Sequence, residues 1–115
     1  MIEDLIIEKL TEALPVPCHM MRPETAPAEY VLVQRTGGGL SNTISTATVA
    51  VQSYAGELLR AAEINELVKA AMLDLIRSDA LVRVKLAADT EFVDVATKTP
   101  RYQSTFNITY YKEEV

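Results

Sequence analysis

With 115 residues, 49% hydrophobic and 23% charged, the chain has the make-up of one soluble globular domain, long enough to bury roughly 65% of its unfolded surface without disulfides or metal. Its 11 basic and 16 acidic residues give a net charge of -5, whereas a dedicated nucleic-acid binder carries a basic surplus. A lone Cys18 excludes an internal disulfide and fits a reducing compartment, no apolar run approaches the ~18 residues of a membrane span, and MIEDLIIEKL, with early acids and no basic region, does not read as a signal peptide.

The first element is a short amphipathic helix. Ile2, Leu5, Ile6, Leu10, Ala13 and Leu14 recur at helical spacing, and Glu3 and Asp4 suit the positive end of its dipole. Pro15 and Pro17 stop it. Val16 to Met21 reads as a brief edge strand, because prolines cannot donate to a central ladder. The RPETAP stretch, 22–27, reads as a loop.

Glu29 to Thr36 is rich in β-formers and reads as a strand. Gly37-Gly38-Gly39-Leu40-Ser41-Asn42 is expected to break it, as the flexible tip of an antiparallel hairpin whose second strand is Thr43–Gln52. In that second strand Ala47, Val49 and Val51 alternate with Thr46, Thr48, Ala50 and Gln52. Ser53 is positioned to cap a helix that the strand feeds directly. From Tyr54 the period changes to about 3.6, and Tyr54, Ala61, Ile64, Val68, Ala71, Met72 and Leu75 form one broad stripe. This is the longest helix, and it is expected to cover the sheet that the shorter segments form.

After a turn at Ser78-Asp79, Val82, Val84 and Leu86 alternate with Arg83 and Lys85 as a half-exposed strand. Phe92, Val93 and Val95 read as a separate short strand, and Thr97–Pro100 as a turn. The last strand carries the clearest alternation: Tyr102, Ser104, Phe106, Ile108 and Tyr110 on one face, Arg101, Gln103, Thr105, Asn107 and Thr109 on the other. The order α-β-β-α-β-β-β predicts a single α+β domain over 1–115, with an antiparallel-rich or mixed sheet and two helices packed on one face.

No residue cluster points to catalysis. The glycine tract lacks the Lys-Ser/Thr pair and following helix of a phosphate loop. Cys18 and His19 are neighbours on a strand, point to opposite faces and have no further Cys or His to share a metal. Glu57, Glu63 and Glu66, and Asp89, Glu91 and Asp94 near an expected turn, read as a solvated surface. The long helix is more informative. Leu59, Ala70 and Leu73 fall away from the core stripe, among Glu63, Glu66 and Arg77, and a helix apolar on a second flank suits packing against another subunit.

The chain resembles the tail terminator, or tail completion, proteins of long-tailed bacteriophages and prophages. The residues that carry the resemblance are Val33-Gln34-Arg35-Thr36-Gly37-Gly38, the strand passing through Ser53-Tyr54-Ala55 into an alanine-rich helix, and Pro100-Arg101-Tyr102-Gln103-Ser104-Thr105-Phe106. The first helix and the element order match as well. The triple glycine departs from the shorter loop expected of that family. The resemblance implies a structural subunit of the virion tail, assembled in the bacterial cytoplasm. Its copies would form a ring, usually a hexamer, that binds the tail tube protein, stops tube growth and offers a surface to the head-completion or connector protein. DNA would pass through the hole transiently; no enzyme activity, cofactor or membrane partner is implied. On this reading the ring contacts come from Leu59 and Leu73, the acids Glu63 and Glu66, the Arg35 hairpin with Gly37, Gly38 and Gly39, and Arg101. Two other readings remain: a head–tail connector of similar size, and a small-ligand-binding α+β domain.

Overall fold

A computed structural model describes residues 1–25, 27–41, 43–93 and 99–112. Helix α1 spans Ile2–Ala13 and is followed by β1 (Cys18–His19), β2 (Tyr30–Ser41) and β3 (Ile44–Tyr54). Helix α2 (Leu58–Asp74) ends in a 3-10 turn, Leu75–Arg77, and β4 (Leu81–Val93) and β5 (Pro100–Tyr111) complete the chain. The strands form one sheet in the order β1-β2-β3-β5-β4, with β1 parallel to β2 and the other pairs antiparallel. The fold is thus α+β with a mixed sheet.

Both helices cover the same face. Ile2, Ile6 and Leu10 of α1 and Ala61, Ile64, Val68 and Met72 of α2 join Val31, Val33, Val49, Val51, Phe106 and Ile108 in one buried cluster. The period-2 and period-3.6 patterns therefore meet across one layer boundary. On the other face Tyr30, Leu32 and Tyr54 form a small second cluster.

Several boundaries differ from the sequence reading. The glycine tract is not a loose tip: β2 runs through it, with Gly37, Gly38 and Gly39 paired to Thr48, Ala47 and Thr46. A register shift between Arg35 and Gly37 leaves Thr36 as a bulge, and Ser41 pairs with Ile44, so only two residues connect the strands. Glycine weakens a strand by roughly 0.5–1 kcal/mol per residue, yet a continuous ladder on β3 outweighs that cost here. Asn42 lies outside the described residues.

Ser53 does not cap α2. It lies inside β3, fully buried, and three residues separate the strand from the helix, whose N-cap is Glu57 without a side-chain bond. Tyr54 belongs to the strand and not to the helical stripe. The two strands expected after α2 are one: β4 runs unbroken to Val93, with register shifts at Leu81/Arg83 and Leu86/Ala88. Those two bulges interrupt the alternation, which is why the strand reads as two pieces. Val95, Asp94 and the first part of the expected 97–100 turn fall outside the described residues. The edge strand near Cys18 is present but only two residues long.

Candidate functional site

The outward side of α2 is set by its inward one. Because Ala61, Ile64, Asn65, Val68 and Met72 are buried, Leu59, Glu63, Glu66, Leu67, Ala70, Leu73 and Asp74 fall opposite them at 100° per residue. Leu59 is 72% exposed, and Leu67, Leu73 and the neighbouring Ile76 are nearly half exposed. No described element covers them. Glu63 is exposed, while Glu66 pairs with Lys69 at 2.8 Å. The strip offers apolar side chains between carboxylates.

Beside the bulge of β2, Arg35 folds back along the glycines. Its Nε donates to the Gly37 carbonyl at 3.3 Å. A Cβ on Gly38 would come within 2.5 Å of Arg35 Nη2 and 2.6 Å of the Thr46 carbonyl oxygen, so only glycine fits there. Gly37 and Gly39 have ordinary room. The glycine tract thus gives the arginine a bed at the sheet's edge.

Arg101 is placed differently. It is half-buried on the helix-free face, where its Nη1 donates to the Tyr54 hydroxyl at 2.8 Å and its guanidinium lies 5.6 Å from that ring's centroid. Tyr54 stacks on Tyr30 at 4.6 Å and donates to Gln52 Oε1, and Gln52 Nε2 donates to Gln103 Oε1 at 3.0 Å. Arg101 only donates, while Tyr54 and Gln52 each accept one bond and donate the next, which strengthens the set cooperatively. Arg101 therefore ties strands together, and Arg35 and Arg101 are not neighbours: one sits opposite Val49 across a strand pair, the other opposite Tyr54.

A polar clamp unforeseen from sequence joins α2 to β4. Buried Asn65 donates through Nδ2 to Asp89 Oδ1 at 2.8 Å, and Lys69 Nζ donates to Asp89 Oδ2 at 2.6 Å. The lysine bond, then the Asn65 bond, hold the Asp89 carboxyl below its ordinary range against the opposing effect of burial. The same contact raises Lys69. Asn65 lies within the core stripe of its helix, and that polar interruption is the signal that could have found the clamp. Asp89 and Glu91 lie within β4.

A groove of about 630 Å³ is open and runs between the 15–17 segment and the start of α2, with Leu59, Glu57, Glu63 and an Arg60–Glu29 ion pair along it. Among the described residues no three His, Cys, Asp or Glu side chains gather to hold a metal. Burial pushes the Cys18 thiol up to about 11, which leaves little thiolate at neutral pH. No described helix is long and apolar enough to cross a membrane.

No family model and no curated protein matches this chain.

Proposed function

We propose that this protein is a structural subunit of a phage or prophage tail, a terminator that assembles into a ring on the last layer of the tail tube, halts tube growth and presents a surface to the head. The observation that carries the reading is the outward strip of α2, where Leu59, Leu67 and Leu73 lie exposed between Glu63 and Glu66. A helix with apolar side chains on two opposite sides is built to be covered twice, once by its own sheet and once by a neighbour. A ring uses heterologous contacts, so the surface that meets this strip is a different patch of the next copy. Arg35 is a candidate for that patch, since its guanidinium is exposed and can pair with a carboxylate through two N–H groups.

Electron microscopy of the protein mixed with purified tail tubes tests the reading directly: rings at tube ends, and tubes that no longer lengthen, are expected. Replacing Leu59 and Leu73 together by Glu should leave circular dichroism unchanged and weaken assembly at least tenfold by sedimentation. Normal termination by that double variant would remove α2 from the interface. Tubes that grow on undisturbed in excess protein would overturn the function.

A further inference from the structure

The sheet has two open edges, and they are unlike. Among the described residues β1 pairs only with Val31 and Leu32, so the outer side of β2 from Val33 to Ser41 has no partner strand. At the other side of the sheet β4 pairs with β5 alone and, among the described residues, has no strand on its outer side. We infer that the open edge of β4 in one copy of this chain pairs with the open edge of β2 in the next, so that the sheet continues from subunit to subunit. The inference rests on the ring reading and specifies the contact that closes the ring.

Topology permits the join. Neighbouring strands alternate in direction from β2 through β3 and β5 to β4, because each of these pairs is antiparallel. A copy rotated about an axis along the strands brings its β2 beside β4 with the alternation kept. Side chains favour the same join. Lys85, Asn107, Thr48 and Gly37 make one row across the sheet, and Arg83, Thr109, Thr46 and Gly39 make another. Continuing these rows without axial shift sets Lys85 against Gly37 and Arg83 against Gly39 of the next copy. Long cationic side chains then meet positions that have no side chain at all, where they can lie across the strand and reach backbone carbonyls.

Charge disfavours one register of the competing pairing. Arg83 and Lys85 are exposed and have neither an ion-pair nor a hydrogen-bond partner among the described residues. Two β4 edges paired antiparallel about Val84 would put Arg83 opposite Lys85, which destabilises that register of a sheet pair. The β2 residues between Thr36 and Ser41 are themselves uncharged, although the Arg35 guanidinium folds over Gly37 and Gly38, and Glu3 of α1 lines the cavity beside Val33–Thr36 on that side. Natural edges are usually guarded by charges or bulges. Here β4 has both, whereas the glycine stretch of β2 has no bulge beyond Thr36 and no charge of its own apart from the folded-back Arg35, which makes it the receiving edge.

Single-cysteine variants test this in a Cys18→Ser background. Gly37→Cys and Lys85→Cys are made in separate chains, mixed at high concentration and oxidised. Adjacent strands lie about 4.8 Å apart, within disulfide reach. Cross-linked dimers are expected in the mixture and not from either variant alone. Gly39→Cys with Arg83→Cys should behave alike, and crossed pairs would report a two-residue shift of the same join. A dimer from Lys85→Cys alone would mean β4 pairs with itself and would overturn the inference. So would a chain that assembles by light scattering with no β2–β4 cross-link, an outcome that leaves the ring reading standing. A chain that stays monomeric both alone and on tail tubes overturns both. Should a cysteine perturb folding, amide exchange of the unmodified protein gives a second readout: 36–41 and 81–86 should gain protection together on assembly.

Discussion

Gly38 is where the backbone has least room. Ala there places a methyl 2.6 Å from the Thr46 carbonyl oxygen, a backbone atom that cannot step aside as the Arg35 side chain can. Gly38→Ala should cost about 1–3 kcal/mol by urea denaturation, while Gly56→Ala, with nothing within 4 Å, should be nearly neutral. A stability of Gly38→Ala equal to that of the parent would show that β2 does not sit on β3 in this register. Asp89 gives the pH dependence. Its carboxyl is depressed in the folded chain, first by Lys69 and then by Asn65, so its contribution is present above the ordinary carboxylate pKa of ~4 and is lost as pH falls through the lowered value. Asp89→Asn should flatten that acid limb by about 1 kcal/mol or less, since the pair is partly exposed. Asp89→Ala should cost more, about 1–3 kcal/mol at neutral pH, because it leaves the buried Asn65 amide without its acceptor. Cys18 should resist thiol reagents at pH 8 in the folded chain and react promptly in denaturant, as a thiol pushed up to about 11 by burial must.

Helix α2 faces two ways, and the two faces should answer mutation differently. Val68 is fully buried, so Val68→Asp places an unpaired charge in the core and should unfold the subunit in circular dichroism. Leu59 and Leu73 project outward, and their replacement should register only in assembly. The β2–β3 hairpin is the second element with a definite expectation. Because Gly37, Gly38 and Gly39 are paired to β3, their segment should show amide protection above that of a free loop even in the monomer. Exchange there at random-coil rates would return the tract to the mobile tip that composition alone suggests.

The molecule measures 43 × 25 × 24 Å. Strands of 11 to 13 residues span about 36–43 Å at ~3.3 Å per residue, so the long axis follows the strands. A ring closed through β2 and β4 stands those strands along its axis, and a ring height near 43 Å is expected in side views. A disc about 25 Å high would mean that the subunits lie flat and meet through other surfaces.

The sequence by itself determined the α+β class, both helices and most of their buried stripes, the alternation of β3 and β5, and the exposure of Leu59 and Leu73 on α2, though not of Leu67. Each of these rests on the spacing of apolar residues along one segment, which is a local property. What only the tertiary structure decided depends on a second segment. The glycine tract is strand because β3 supplies partners, although its own propensity argues for a turn. The bulges that make β4 read as two pieces are misfits against β5. Ser53 is buried in the ladder and not at a cap, Arg101 is held by Tyr54, and Asn65 is polar at a core position because Asp89 faces it. The order β1-β2-β3-β5-β4, and with it the two unequal open edges, follows from which strands meet across the whole sheet, and no single stretch of sequence encodes that.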